Sequence, residues 1–396
     1  MKALTWQGKR DVQVQEVPDP RIEAPTDAII KVTSTAICGS DLHLYEVLGA
    51  YLTPGDILGH EAMGIVEEVG AEVTHIKAGD RVVVPFNISC GRCYMCDRAL
   101  FAQCETTQNR ATGKGASLLG YTSLYGAVPG GQADYLRVPQ AHFGPIKVPH
   151  EHADERFLYL SDVLPTAWQA VKYADVPEGG SLAVLGLGPI GQMAVRIARH
   201  LGIEKVFGVD RVPERLALAA RHGAQPVNMD EHEDVAQALI SFTDDRGPDS
   251  VIDAVGMEAH GGAGSVIGKI GQRAAGFLPD ALARPVIDKF GIDRMTALTA
   301  AMKSCRRGGT VSVSGVYGGE IEPMPMMEMF DRGLQIRMGQ AHVRRWSDDI
   351  LPLLTGEDVL SVEDLATHKI PLDQAPHGYE IFQKKLDDCV KVVLKP

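Results

Sequence analysis

The chain has 396 residues and a formal net charge of −12, from 39 Lys and Arg against 51 Asp and Glu. That length makes two domains or one large α/β unit, and it buries a sizeable core without cross-links. No run of Lys or Arg is long enough to track a phosphate backbone, so nucleic acid is excluded as the expected partner.

The amino terminus, MKALTWQGKRDVQVQEV, lacks the apolar core of a signal peptide. The most apolar stretch, SLAVLGLGPIGQMAVRIA, is interrupted by Gln192 and Arg196 and is too short and polar to span a bilayer. The expectation is a cytoplasmic protein without membrane attachment.

Over residues 1–150, runs such as DAIIKVTSTAI, GIVEEVG and DRVVVPF are rich in β-branched residues and read as short strands joined by turns. Among them stand Ile37-Cys38-Gly39-Ser40-Asp41-Leu42-His43 and Gly59-His60-Glu61. A lone cysteine or histidine is more often a core residue. Together, with hydroxyl and carboxylate neighbours, Cys38 and His60 suit a catalytic zinc shell that lacks its third ligand.

Cys90, Cys93, Cys96 and Cys104 concentrate four of the seven cysteines in one polar stretch. A reducing compartment and an odd cysteine count argue against disulfides. Four thiolates close a tetrahedral structural zinc site and leave no position for substrate. An iron–sulfur cluster is the rival reading, but the ferredoxin run has a shorter last spacing.

Past residue 155 the texture changes. SLAVLGLG reads as a buried strand, PIGQMAVRIARHLG as an amphipathic helix, KVFGVD as a strand and PERLALAARHG as a helix opened by proline. QPVNM, a helical stretch near 233–244 and SVIDAVG continue the alternation, which predicts a parallel sheet with right-handed crossovers. Residues 257–300 break the rhythm and are expected to form a functional loop or lid. TVSVSGVY resumes as a strand, and the last seventy or so residues lose the βα pattern and are expected to rejoin the first domain. The expected division is a catalytic domain at 1–155 carrying a zinc lobe at 88–108. A nucleotide domain at 156–325, with its insertion at 257–300, follows. Residues 326–396 end that domain and return to the first.

Gly186-Leu-Gly188-Pro189-Ile190-Gly191 has the glycine spacing of a dinucleotide fingerprint, between a predicted strand and a predicted helix, where pyrophosphate sits on backbone N–H groups. Asp210 closes the next strand, where a carboxylate accepts from the adenosine ribose and repels a 2′-phosphate, so the expected cofactor is NAD. Arg211 and Arg215 keep NADP open. Gly315, Val316 and Tyr317, closing TVSVSGVY, and Gly339 complete the candidate cofactor set.

Over essentially its whole length the chain resembles the zinc-dependent medium-chain alcohol dehydrogenases. The resemblance rests on ICGSDLH, GHEAMGIVEEVG, GDRVVV, the cysteine run, GLGPIG and the ending DCVKVVLKP, in the family's order. It implies an α/β protein with a GroES-like, β-rich catalytic domain and a Rossmann doubly wound parallel sheet. It implies that Cys38 and His60 bind catalytic zinc, that Asp41 orients His60, and that Glu61 is an occasional extra ligand. Ser40 would pass the substrate proton towards the cofactor ribose and His43. The implied cofactors are two zinc ions per chain and NAD. The implied reaction is reversible hydride transfer between an alcohol or aldehyde hydrate and nicotinamide, in a homo-oligomer with tetramer favoured over dimer.

The family's usual third ligand, another cysteine, is missing, because none lies between Cys104 and Cys305. At its place stands Tyr159-Leu-Ser-Asp162-Val-Leu-Pro-Thr166. Asp162 is therefore the expected third ligand, with capping of the following helix as its alternative role. Asp162, Gly130-Gly-Gln-Ala-Asp-Tyr135, Gly256-Met-Glu-Ala-His260-Gly and the long 257–300 segment together resemble the glutathione-independent formaldehyde dehydrogenase branch and formaldehyde dismutase. In that branch an inserted loop covers the adenine end of NAD and can make the cofactor non-dissociable. A zinc-free quinone reductase would need neither zinc motif. A non-catalytic zinc-stabilised binding protein would keep the cysteine lobe but has no use for Ser40, His43 and Asp210 together.

Overall fold

The computed structural model describes residues 1–256, 295–317 and 324–396. Most of the expected insertion, residues 257–294, therefore lies outside the described residues, as does the Met257–Gly261 part of the glycine-rich motif. The insertion's last residues open the helix Thr296–Ser304.

The first part of the chain supplies strands β1 (Lys2–Gly8), β2 (Asp11–Glu16), β3 (Ala28–Ile37), β4 (Glu61–Val69), β5 (Arg81–Val84), β6 (Tyr135–Val138) and β7 (Ile146–Lys147). The middle supplies β8 (Ser181–Leu185), β9 (Lys205–Asp210), β10 (Gln225–Asn228), β11 (Ser250–Asp253), β12 (Thr310–Val313) and β13 (Gln335–Met338). The end supplies β14 (His368–Pro371) and β15 (Val392–Lys395).

Two compact units result, Met1–Thr166 with Ala341–Pro396, and Ala167–Gln340. The first crossing, after Thr166, falls later than the expected boundary at 155, and the second, after Gln340, falls within the 326–396 span expected to end the nucleotide domain and return to the first. The turns at Asp154–Phe157 and Leu158–Ser161 look like the start of a helical domain, yet they bury Phe157, Leu158, Tyr159 and Leu160 within the first unit.

In the first unit, β1 and β2 form an antiparallel hairpin, and seven further strands form one sheet in the order β14-β15-β3-β4-β5-β7, with β6 also on β3. Ala28, Ile30 and Val32 alternate along β3 and pack with Val66, Val82, Val84, Leu136 and Val138, as expected when every second side chain faces the core. The register fixes what lies at one end of this sheet. Ala36 pairs with Glu61, and Ile37 pairs with Val392. Cys38, His60 and Lys391 each occupy the position next to a paired residue, so three distant segments deliver them to the same edge.

In the second unit, six strands run parallel in the order β10-β9-β8-β11-β12-β13. Ala183, Leu185, Phe207, Val209, Val251, Val311 and Val313 form its core. The winding direction reverses between β8 and β11, and ligands of such sheets bind beyond the carboxyl ends of the strands at that point. The helices Pro189–His200 and Pro213–Arg221 that follow β8 and β9 both open on proline, whose missing N–H costs nothing in the first turn.

Candidate active site and metal-ligand clusters

Beyond β3 the chain turns at Cys38 into the helix Gly39–Glu46. The Cys38 N–H donates to Asp41 Oδ2 at 3.0 Å, which satisfies a helix-terminal donor and fixes that carboxylate. Asp41 Oδ1 faces His60 Nδ1 at 3.1 Å, so the other ring nitrogen is turned into the site. His60 Nε2 lies 3.5 Å from Asp162 Oδ2 and 3.2 Å from Ser40 Oγ, and Cys38 Sγ lies 3.3 Å from the same Asp162 oxygen. Gly59 permits this turn: its φ is +96°, and a side chain there would meet Gln132 Cγ at 2.4 Å.

One donor atom each from Cys38, His60, Glu61 and Asp162 lies within 4.8 Å of the others, and all four residues are buried. Asp162 Oδ1 accepts from the Thr166 hydroxyl at 2.7 Å, which aims Oδ2 at Cys38 and His60. Burial, with the Asp162 charge beside it, pushes the Cys38 thiol up to about 11. Burial acts against a charged His60, but Asp41, Cys38 and Asp162 outweigh it and hold the imidazole well above its ordinary range. Burial would raise the Asp162 carboxyl, yet His60 and Thr166 leave it below the usual carboxylate value. Glu61 Oε2 is buried without a hydrogen-bond partner among the described residues. Sulfur, nitrogen and carboxylate donors around a buried point, with one carboxylate oxygen to spare, fit a zinc ion well.

His43 lies one helical turn from Ser40 and is buried. Sequence reasoning did not single out Lys391, whose Nζ contacts Glu61 with both side chains fully buried. Tyr379, whose hydroxyl donates to Gln132, and Thr166 were likewise missed. A lysine within the apolar run Val390–Leu394 was the one available signal, because a buried ammonium requires a partner.

The four cysteines of residues 90–104 form a second cluster, with donor atoms within 4.8 Å of one another. Cys93 Sγ and Cys104 Sγ are 3.9 Å apart, too far for a disulfide. Tetrahedral zinc–sulfur bonds imply a separation of about 3.8 Å. Cys104 Sγ accepts from the Cys90 N–H at 3.4 Å, and Cys93 Sγ accepts from the Glu105 N–H at 3.3 Å. Burial raises the Cys93 thiol, but the N–H groups around it bring it down to about 6.

In the second unit, Gly188 caps the helix Pro189–His200, and a Cβ on Gly191 would lie 1.9 Å from the Gly186 carbonyl oxygen. Only glycine allows that approach of turn to helix. Asp210 Oδ2 accepts from the Leu187 N–H at 2.7 Å, and Oδ1 accepts from the N–H groups of Arg211 and Val212. Arg215 is buried, a side chain on Gly188 would stand 3.8 Å from its Nη1, and its Nε has no hydrogen-bond partner among the described residues. A buried guanidinium with an unpaired Nε beside a glycine turn and a helix amino terminus suits a phosphate. Arg211 lies 3.6 Å from Asp230 instead. Ile190 follows Pro189 in the first helical turn. Gly315 packs against the Gly256 backbone, Val316 is exposed, and Tyr317 donates to Asp253 at 2.5 Å. Gly339 has a φ of +141°, and its carbonyl accepts from Gln169.

A β-rich unit with a buried Cys, His and Asp cluster and a four-cysteine lobe, together with a parallel dinucleotide-type sheet, defines a zinc-dependent dehydrogenase. The family model for the alcohol dehydrogenase GroES-like domain matches residues 24–149, and that for zinc-binding dehydrogenase matches residues 189–265. The zinc-type alcohol dehydrogenase-like protein AdhB of Bacillus subtilis (strain 168) is 42% identical over all of both chains. The formaldehyde dismutase of Pseudomonas putida is 31% identical, over 97% of this chain and 95% of its own. Among solved structures, the alcohol dehydrogenase TADH from Thermus sp. ATN1 superimposes with a TM-score of 0.81 at 35% identity, covering 100% of this chain and 99% of its own. The chain belongs to the zinc-type alcohol dehydrogenase family, and it is an oxidoreductase. None of its described helices is long and apolar enough to cross a membrane.

Proposed function

We propose that the protein catalyses reversible hydride transfer between a small alcohol, or an aldehyde hydrate, and NAD, with Cys38, His60 and Asp162 holding a catalytic zinc ion. The observation that carries this reading is the convergence of those donor atoms and Glu61 within 4.8 Å, with Asp41 behind His60. When bound, zinc supplies a Lewis acid that lowers the pKa of the substrate hydroxyl, and nicotinamide supplies the hydride acceptor. The chain's own part is to hold and orient. Asp41 keeps the His60 proton on Nδ1. Ser40 accepts the substrate proton and passes it towards His43, one turn along the same helix. Cys38 and Asp162 together neutralise the ion's charge. Gly186, Gly188 and Gly191 open the helix amino terminus to pyrophosphate, Arg215 adds a cation there, and Asp210 is the ribose partner that favours NAD over NADP. Cys90, Cys93, Cys96 and Cys104 hold a second, structural zinc.

The test is metal analysis with coenzyme reduction by purified protein over formaldehyde, primary and secondary alcohols and polyols. Two zinc ions per chain and NAD turnover with at least one alcohol or aldehyde are expected. A zinc-replete protein inactive with NAD over the whole panel would overturn the reading.

The likeness to formaldehyde dismutase favours a narrower version, in which NAD stays bound while one aldehyde hydrate is oxidised and a second aldehyde reduced. Retention of one nucleotide per chain after dialysis is then expected, and complete loss sinks that version. The same family resemblance supports a cytoplasmic homotetramer, which native mass and fractionation measurements test.

A further inference from the structure

Behind Asp41 lies a hydrogen-bond chain that the proposed reaction does not use. Gln132 is fully buried, and its backbone is held on both sides: its N–H donates to the Leu58 carbonyl at 3.0 Å, and its carbonyl accepts from the Leu4 N–H at 2.8 Å. Its side-chain Nε2 donates to the Ala36 carbonyl and to Asp41 Oδ2, each at 3.2 Å. Its Oε1 accepts from the Tyr379 hydroxyl at 2.9 Å. Tyr379 is fully buried on the helix Ala375–Lys384, with its ring 5.5 Å from that of Tyr45.

The donors and acceptors allow one arrangement only. A carboxamide offers two N–H donors and one carbonyl acceptor. The Ala36 carbonyl and the Asp41 carboxylate both require a donor, so the NH2 end faces them. Oε1 is left facing Tyr379, whose hydroxyl must then donate. Asp41 Oδ2 receives two N–H groups, from Cys38 and Gln132. Oδ1 is left facing His60 Nδ1 at 3.1 Å, so in the neutral imidazole that binds metal this contact places the proton on Nδ1 and leaves Nε2, on the side of Cys38 and Asp162, as the donor atom. The absent side chain at Gly59 leaves the space that Gln132 fills.

We propose that Gln132, with its amide oriented by Tyr379, is a positioning residue that locks the Asp41 carboxylate behind His60 and so sets the tautomer and metal affinity of that imidazole. The proposal rests on the reading of His60 as a metal ligand. Asp41 alone could rotate about its terminal bond and offer either oxygen. With Oδ2 pinned from two directions, rotation breaks two buried hydrogen bonds. The helix Ala375–Lys384, more than three hundred residues from His60 in sequence, thereby acts on the metal site through Gln132 and Asp41. Supporting partners of metal-bound histidines change metal affinity by about 10–100-fold when lost.

The experiment compares Gln132→Met and Tyr379→Phe with the wild type, all full-length and zinc-loaded, by timing release of each zinc to a chromogenic chelator. Zinc at the four-cysteine cluster serves as the control inside the same molecule. Faster release from the Cys38, His60 and Asp162 site is expected, by about 10-fold in Gln132→Met and by less in Tyr379→Phe, with cysteine-cluster release unchanged. Cobalt(II) in the same site should show a shifted absorption band in both variants. Wild-type release and spectra in both variants would overturn the proposal while leaving the catalytic reading intact. Equal acceleration at both clusters would also overturn it, because that is general loosening. A wild type that takes up no metal at His60 would remove the catalytic reading itself. If Gln132→Met does not fold, Tyr379→Phe, which deletes a single oxygen, carries the test.

Discussion

Lys391 and Glu61 form an ion pair in which neither side chain has any solvent exposure, closed across 330 residues of sequence. Burial pushes the Glu61 carboxyl up against the pull of Lys391. Burial would lower the Lys391 ammonium, but Glu61 outweighs it and holds the group above its ordinary value. Such a pair is a modest source of stability while intact and a large liability once halved. Lys391→Met leaves a buried carboxylate without its partner and is expected to cost about 3–5 kcal/mol in denaturant unfolding. Adding Glu61→Gln to that variant should recover more than half of the loss. A double variant as unstable as the single one would show that packing, not charge, sets the cost.

His342 Nδ1 accepts from the Ala102 N–H at 3.1 Å, tying the returning chain to the cysteine lobe within the first unit. Burial, helped by the Arg345 charge, pushes this imidazole down to about 4 from an ordinary 6.5. The unfolded chain therefore binds the extra proton first as the pH falls. The contribution to stability is complete above pH 6.5 and is lost progressively as the pH drops through the folded value near 4. Its size is up to about 3 kcal/mol. His342→Asn should flatten the pH dependence of unfolding across that window. Because acid also strips thiolate-bound metal, the difference between the two curves is the quantity to measure. Parallel curves would assign the acid sensitivity elsewhere.

The parallel sheet is legible in the sequence because buried strands such as Ser181–Leu185 alternate with amphipathic helices that open on proline. Cys38 and His60 are legible as neighbours because their polar flanks, Ser40, Asp41 and Glu61, have no purpose in a plain core. Asp162 is harder to read: an aspartate before a helix is an ordinary cap, and only the structure shows its Oδ2 turned towards Cys38 and His60. Gln132, Tyr379 and Lys391 are illegible for a different reason. Each finds its partner through β-register or helix docking, at separations of 91, 247 and 330 residues, and local patterns carry no information about such pairs. The crossing at Thr166 lies past the expected 155 because helical turns mark secondary structure and say nothing of which core they bury against.

In the cysteine lobe, Cys90, Cys96, Phe101, Cys104 and Ala116 make a small cluster, with little apolar surface to hold it together. Where the core is this small, metal binding supplies folding free energy. Cys93→Ser removes the thiolate that N–H donors hold near 6. The variant is expected to lose one zinc per chain and a large part of its thermal stability, while the ranking of substrates by kcat/KM stays as in the wild type. A changed ranking would mean that the lobe shapes the substrate site directly.

At the other cluster, Asp162→Asn keeps the shape of the side chain and the Thr166 contact but removes the negative charge between Cys38 and His60. Zinc retention at that site should fall by more than the 10–100-fold typical of losing a supporting hydrogen bond, with coenzyme turnover falling alongside and the cysteine-cluster zinc retained. Asp162→Cys separates charge from hardness. A thiolate restores the charge and should restore zinc, yet it gives more electron density to the ion than a carboxylate does and leaves it a weaker Lewis acid. The expected result is a fully loaded enzyme with lower kcat and a higher pH for half-maximal alcohol oxidation. If the loaded Asp162→Cys enzyme matched or exceeded the wild-type rate, the carboxylate would owe its place to geometry alone.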